Sequence, residues 1–198
     1  MGGDDQTLQF YTREAEAYAE YASVEKRSPL LIEFSQSLPT GGDVLDFGCG
    51  SGWAANRFKE MGFQASGFDG SAGLAAEAKA RYGVDVSVGR FEDFSASQAY
   101  DGIWASFCLL HDSREAMPGH LERLNTALRK DGKIYVGLKE GEGRSRDSLG
   151  RLYTYFTEPE MRGLMEATGF KDFTAKIEPS VGYDGSAVNS MHVFAARA

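Results

Sequence analysis

The sequence predicts an α/β fold: a doubly wound, seven-stranded, mostly parallel sheet with an antiparallel C-terminal strand and helices on both faces. Three observations lead there. Five short apolar runs, VLDF (44–47), FQASGF (63–68), VDVSV (84–88), YDGIWAS (100–106) and KIYVGL (133–138), alternate with segments of helical pattern. Strand and helix repeated in this way give right-handed crossovers and a parallel sheet covered on both sides. The last two β-rich segments, 170–177 and 190–196, are separated only by the turn-rich EPSVGYDGSAVN, so they should pair antiparallel. Finally, 198 residues suit one domain, and a chain of that size buries roughly 70% of the surface it exposes when unfolded.

Taken in order, Phe10, Tyr11, Ala15, Tyr18 and Ala22 fall at helical spacing and predict an amphipathic helix over residues 7–24. Ser28-Pro29 separates it from a second helix, Leu30 to Leu38, which stops near Pro39. Thr40-Gly41-Gly42 then turns the chain into the first strand. Ser71 can cap a helix running to Arg81, which Tyr82-Gly83 ends. Pro118 suits the first turn of a helix running to Arg129, with Lys130-Asp131-Gly132 closing it. Thr157-Glu158-Pro159-Glu160 has the spacing of a capping box, and Gly169 stands where a left-handed terminator belongs.

Composition excludes several classes of function. With 21 Lys+Arg against 29 Asp+Glu the formal charge is −8, which repels polyanions and argues against nucleic acid or a basic membrane anchor. No stretch approaches the ~20 apolar residues of a membrane span, and MGGDDQTLQF has neither the basic nor the apolar part of a secretion signal. Cys49 and Cys108 are too few for a disulfide framework, and the three scattered histidines form no metal-ligand cluster. A cytoplasmic protein without a metal is expected. Nothing in charge or pattern indicates an oligomeric state.

In an open α/β sheet, ligands bind outside the carboxyl ends of the strands. After the first strand comes Asp46-Phe47-Gly48-Cys49-Gly50-Ser51-Gly52, a GxGxG loop whose glycines let a ligand touch bare backbone. Trp53 stands where a dinucleotide-binding loop needs its third glycine. Asp46 is a poor neighbour for a pyrophosphate, so a nicotinamide nucleotide is disfavoured and a ligand with an ammonium fits better. The second strand ends FDGS, placing Asp69 where a carboxylate can accept both hydroxyls of a ribose. An adenosine without phosphates is implied.

VLDFGCGSG followed by FDGS resembles the class I S-adenosylmethionine-dependent methyltransferases, whose fold is Rossmann-like. The resemblance extends through GRFEDF, YDGIWASFCLLH, LRKDGKIYVGLKEG and TEPEMRGLMEATGF, and so covers the chain from about residue 7. FYxxxAxxY in the first helix and LLH after the fourth strand are similar to the small bacterial tellurite-resistance-like branch. The resemblance implies a lid over 1–40, a cofactor-binding core over 41–138, and a substrate loop, C-terminal helix and antiparallel strands over 139–198. It implies that Gly48, Gly50 and Gly52 lie against the methionine part of S-adenosylmethionine, with Asp46 near its amino group. Asp69 would hold the ribose, and Phe68, Gly70 and Ser71 would flank the adenosine. Phe91 would edge the adenine, with Arg90 where many relatives carry Asp. Ser106 would meet the methionine end, and Trp53 begins the helix beside the cofactor. Tyr11 and Tyr18, on one helical face, would close over the cofactor carboxylate; the same spacing equally suits core-facing aromatics.

A sulfonium methyl is already electrophilic, so such a protein chiefly aligns an acceptor and excludes water. His111, just past the fourth strand, is the candidate base where the acceptor must lose a proton, and it also suits a helix cap or a bond to a backbone carbonyl. Lys139, Arg144 and Arg151 make a local positive excess, suited either to gripping an anionic acceptor or to a solvated surface. His120 is expected at the surface, His192 in a strand, and Cys108 as a small buried residue. The expectation is methyl transfer to a small molecule giving S-adenosylhomocysteine. The alternative is a protein that binds the cofactor without turning it over.

Overall fold

The computed structural model describes residues 3–22 and 28–198. Helices α1 (Asp5–Arg13), α2 (Ala15–Ala22) and α3 (Ser28–Gln36) precede β1 (Asp43–Phe47), α4 (Trp53–Glu60), β2 (Gln64–Asp69), α5 (Ala72–Tyr82) and β3 (Val86–Val88). Then come β4 (Tyr100–Ser106), α6 (Met117–Ala127), β5 (Leu128–Lys139), β6 (Arg144–Arg146), β7 (Leu152–Thr154), α7 (Glu158–Ala167), β8 (Phe170–Val181) and β9 (Ala187–Arg197). Seven strands form one sheet in the order β3-β2-β1-β4-β5-β9-β8. The first five run parallel, and β9 lies antiparallel to both of its neighbours. This is the doubly wound sheet the sequence predicts. Strand order reverses between β1 and β4, which opens a crevice at their carboxyl ends.

Alternation along the central strands fills two layers. Leu45, Phe47, Ile103, Ile134 and Val136 face Leu121, Leu124, Met161 and Met165 of α6 and α7, whereas Val44, Trp104 and Tyr135 face Leu31, Phe34 and Phe58 of α3 and α4. Trp104 stacks on Tyr135 at 3.7 Å between ring centres. Each such apolar side chain contributes about 1.5–3 kcal/mol on burial, enough to hold the crevice rigid from below. Among the described residues no helix is long and apolar enough to cross a membrane, and no three His, Cys, Asp or Glu side chains could share a metal ion.

Several expected elements differ. The helix predicted over 7–24 breaks at Glu14, which caps α1 with φ −98° and ψ 21°; residues 23 and 24 lie outside the described residues. The break seats the α1–α2 corner on Gly73 of α5, where a Cβ would stand 2.7 Å from the Thr12 carbonyl oxygen and 3.1 Å from the Ala15 Cβ. The α3 helix starts at Ser28 and stops at Gln36, rather than spanning 30–38. Lys130-Asp131-Gly132 does not close a helix: α6 ends at Ala127, Leu128 already pairs with Tyr100, and the three residues form an irregularity inside β5. Asp131 there adopts φ +60°, with an ion pair to Lys171 at 2.6 Å. The β6–β7 hairpin was not anticipated, because its three-residue strands carry no apolar alternation.

Candidate functional site

At the crevice, β1 runs through residues 48–52 into α4, and the three loop glycines adopt φ of +67°, +53° and +76°. A Cβ on Gly48 would lie 2.2 Å from the Cβ of Cys108, and one on Gly52 would lie 2.8 Å from that of Ala78. Those two glycines therefore permit close packing of the protein on itself. Gly50 is less crowded: a Cβ there would make only ordinary contacts, with the Tyr18 ring at 3.9 Å and Leu74 at 4.0 Å. The loop is pinned by Asp69, whose Oδ2 accepts from the Gly50 amide at 2.7 Å and whose Oδ1 accepts from the Ser71 amide at 2.8 Å. Burial raises the Asp69 pKa against the pull of those amides. The carboxylate keeps acceptor capacity for a further donor.

Asp69, Gly70, Phe91 and Ser106 line an inner cavity above this loop, and α1 with α2 roofs it through Asp4, Leu8, Tyr11 and Tyr18. The roof is tied on several sides. Arg146 of β6 grips the Asp4 carboxylate with bonds of 2.7 and 2.8 Å, holding that carboxyl well below the usual range. Arg90 pairs with Asp5, the Leu152 amide donates to Thr7 Oγ1 at 2.8 Å, and the Asp4 amide donates to the His111 carbonyl at 3.2 Å.

An outer cavity of about 350 Å³ opens beyond, between α2, β5, β7 and the β8–β9 turn. Its size lies within the range of roughly 300–1,000 Å³ usual for small-molecule sites. Tyr21, Trp53, Lys139, Tyr153 and Tyr183 are among its walls. Tyr11, Tyr18, Phe107 and His111 border both cavities, so one thin partition of side chains separates them.

Hydrogen bonds order that partition. His111 Nδ1 lies 2.6 Å from the Leu152 carbonyl oxygen, which can only accept, so Nδ1 carries the proton. Nε2 is then the acceptor for the Tyr11 hydroxyl at 3.0 Å. Arg151 Nη1 donates to the same hydroxyl at 3.0 Å, while Arg151 Nε and Nη2 donate to Asp147 at 2.9 and 2.6 Å. Burial lowers the His111 pKa to about 4 and raises that of Tyr11. Phe107 sits at φ +55°, a left-handed conformation that costs a non-glycine residue about 1–3 kcal/mol and is characteristic of functional sites.

A methyltransferase-domain family model matches residues 18–175. The chain belongs to that family. Among solved structures, this methyltransferase domain is similar to the Burkholderia thailandensis 1,6-didemethyltoxoflavin-N1-methyltransferase with bound 1,6-didemethyltoxoflavin and S-adenosylhomocysteine. The identity is 22% and the TM-score 0.78, covering 97% of this chain and 87% of that one. It is similar also to an Archaeoglobus fulgidus SAM-dependent methyltransferase at 13% identity and TM-score 0.71, covering 90% and 94% of the two chains. The Haemonchus contortus phosphoethanolamine N-methyltransferase 2 in complex with S-adenosyl-L-methionine matches at 15% and 0.70, covering 85% of this chain and 52% of that one. Among curated proteins, none matches the chain.

Of the residues assigned by family resemblance, the methyltransferase domain gathers Tyr11, Tyr18, Gly48, Gly50, Asp69, Gly70, Arg90, Phe91 and Ser106 around the inner cavity. Four stand behind it instead. Asp46 is buried and its Oδ2 accepts from the Ala55 amide at 2.9 Å, because the α4 N-cap, Gly52, has no side chain to satisfy that turn. Gly52 packs on α5, Phe68 stacks on Phe47 at 5.4 Å, and Ser71 caps α5. Trp53 belongs to the outer cavity. Of the three cations, Lys139 and Arg151 line the outer cavity, whereas Arg144 lines neither and is exposed on β6. His120 is not at the surface: it is buried with Nε2 2.6 Å from Asp112 Oδ2. Sequence reasoning missed Leu8, Phe107, Tyr153 and Tyr183. Phe107 could have been found, since it follows Ser106 directly at a strand's carboxyl end; Tyr183 lies in a turn with no distinguishing pattern.

Proposed function

We propose that this protein transfers a methyl group from S-adenosylmethionine to a small-molecule acceptor, releasing S-adenosylhomocysteine. The observation that carries the reading is the pair of cavities meeting at one partition, which lets two ligands approach end to end while α1 excludes water. The inner cavity suits the cofactor: Gly50 presents backbone without a side chain, and the Asp69 carboxylate, held by backbone amides, has acceptor capacity left for a ribose hydroxyl. Gly48, Phe91, Ser106 and Tyr18 complete that surface. The bound sulfonium supplies an electrophilic methyl that needs no activation by the protein. Within the partition, a proton leaving the acceptor passes to the Tyr11 oxygen as the Tyr11 proton shifts to His111 Nε2, so His111 acts as base through Tyr11. The outer cavity receives a small acceptor whose anionic group meets the cationic lining there, while a net charge of −8 argues against a nucleic acid. Two free cysteines suit a cytoplasmic setting, and the FYxxxAxxY helix with Leu109-Leu110-His111 supports the tellurite-resistance-like branch.

The second reading, binding without turnover, is favoured by the low basicity of His111. Thermal unfolding and a methyl-transfer assay separate the two. S-adenosylhomocysteine at ~100 times its dissociation constant adds about 2.7 kcal/mol, a rise of roughly 5–11 °C for a chain of this length. Release of S-adenosylhomocysteine with a panel of small acceptors establishes the enzyme. A thermal shift without release across the panel favours the binder, and no shift with either sulfur compound overturns both.

A further inference from the structure

The least satisfied charge in the outer cavity is Lys139, the last residue of β5. It is 5% exposed, and its Nζ lies 3.5 Å from the centre of the Tyr153 ring. Among the described residues, its ammonium has no hydrogen-bond or ion-pair partner. A buried cation without a directly paired counter-ion is costly, and one aromatic face returns only part of that cost. The neighbouring acids make their direct contacts elsewhere: Asp147 holds Arg151, Glu178 lies 3.3 Å from His192 Nε2, and Asp184 accepts from the Ser186 amide and hydroxyl, so its charge favours the Lys139 ammonium only through space. Arg151 is therefore already neutralised, which leaves Lys139 as the cation available to a ligand.

Around this charge the cavity is aromatic. Tyr183, on the β8–β9 turn, meets Tyr18 and Tyr21 edge to face at 5.3 and 4.7 Å between ring centres. The same turn covers the ammonium, since a Cβ on Gly182 would lie 3.5 Å from Lys139 Nζ. Aromatic walls alone would also suit a quaternary ammonium, but an unpaired lysine among them repels one. A flat ring gains ring-to-ring contact from these tyrosines that a saturated ring of equal charge does not.

We propose that the outer cavity recognises a planar aromatic acid, with its anionic group on Lys139 Nζ and its ring against Tyr18, Tyr153 and Tyr183. This deepens the acceptor class and rests on the methyltransferase reading for its biological sense. The test is equilibrium binding to the full chain, with and without saturating S-adenosylhomocysteine, of three probes: 1-naphthoate, 1-naphthylmethylammonium and cyclohexanecarboxylate. Naphthoate should bind at least tenfold more tightly than either of the others. Lys139→Met should weaken it tenfold or more and Lys139→Arg much less, with S-adenosylhomocysteine affinity unchanged in both variants and the melting temperature not lowered by Lys139→Met, since the buried charge it removes is costly. Tyr183→Leu should weaken naphthoate but not cyclohexanecarboxylate. Equal binding of the ammonium probe, indifference to Lys139→Met, or no naphthoate binding at millimolar concentration overturns the proposal. Failure of S-adenosylhomocysteine to bind would instead overturn the cofactor reading, and naphthoate binding to the free protein remains the separate measure of this cavity.

Discussion

At the scale of single residues, His111 shows how burial converts a titratable side chain into a stability sensor. Its folded pKa of about 4 lies below the unfolded value of ~6.5, so between those values the unfolded chain binds a proton that the native chain does not. Stability is complete above pH 6.5 and falls by about 3 kcal/mol as pH drops to 4. Urea unfolding at pH 7.5 and 4.5 should show that loss, and His111→Asn, which keeps a donor toward the Leu152 carbonyl, should flatten it. Asp69 makes a second case, because it both pins the glycine loop and faces the inner cavity. Asp69→Ala should lower S-adenosylhomocysteine affinity more than tenfold while the fold survives; calorimetry giving equal affinity would remove the ribose assignment. The place of Asp69 beside the glycine loop was legible in the sequence because its spacing after GxGxG is a property of neighbouring strands. Asp46 was not, since whether a carboxylate after a strand faces a ligand or caps the next helix depends on a side-chain direction that spacing does not encode. Tyr11 met its partner only through a contact across 100 positions, which no local pattern carries.

At the scale of elements, the corner between α1 and α2 in the roof over the inner cavity is set by one close approach to α5. Gly73→Ala should raise the intrinsic helical preference of α5 by about 1 kcal/mol, yet its new Cβ collides with the Thr12 carbonyl, an overpacking that costs about 1–3 kcal/mol at the α1–α2 corner. Hydrogen exchange should then find α1 amides opening faster while those of β1 and β4 keep their protection; uniform exchange across the chain would show that the corner is not an independent hinge. The five parallel strands were visible because each lies in a short apolar run set apart by helical or turn segments, even β3, which is largely exposed at the sheet edge. The break at Glu14 was hidden because the apolar spacing continues through it, and the irregularity in β5 because Lys-Asp-Gly reads equally as a helix stop. In both places pairing and packing with distant elements decided among conformations that the local residues allow.

For the whole molecule, the order of the sheet followed from the rhythm of the sequence and is shared with methyltransferases of 13–22% identity, so the fold tolerates wide change in composition. The location of the crevice followed with it, since reversal of strand order is a property of topology. Acceptor chemistry did not, because the outer cavity is assembled from α2, β5, β7 and the β8–β9 turn, whose residues lie far apart in the chain. The partition formed by Tyr11, Tyr18, Phe107 and His111 has one more implication. A ligand on either side touches the same four side chains, so any shift one ligand imposes on them is felt by the other and the two affinities are thermodynamically linked. Whatever factor the first ligand lends to the second must be returned in equal measure.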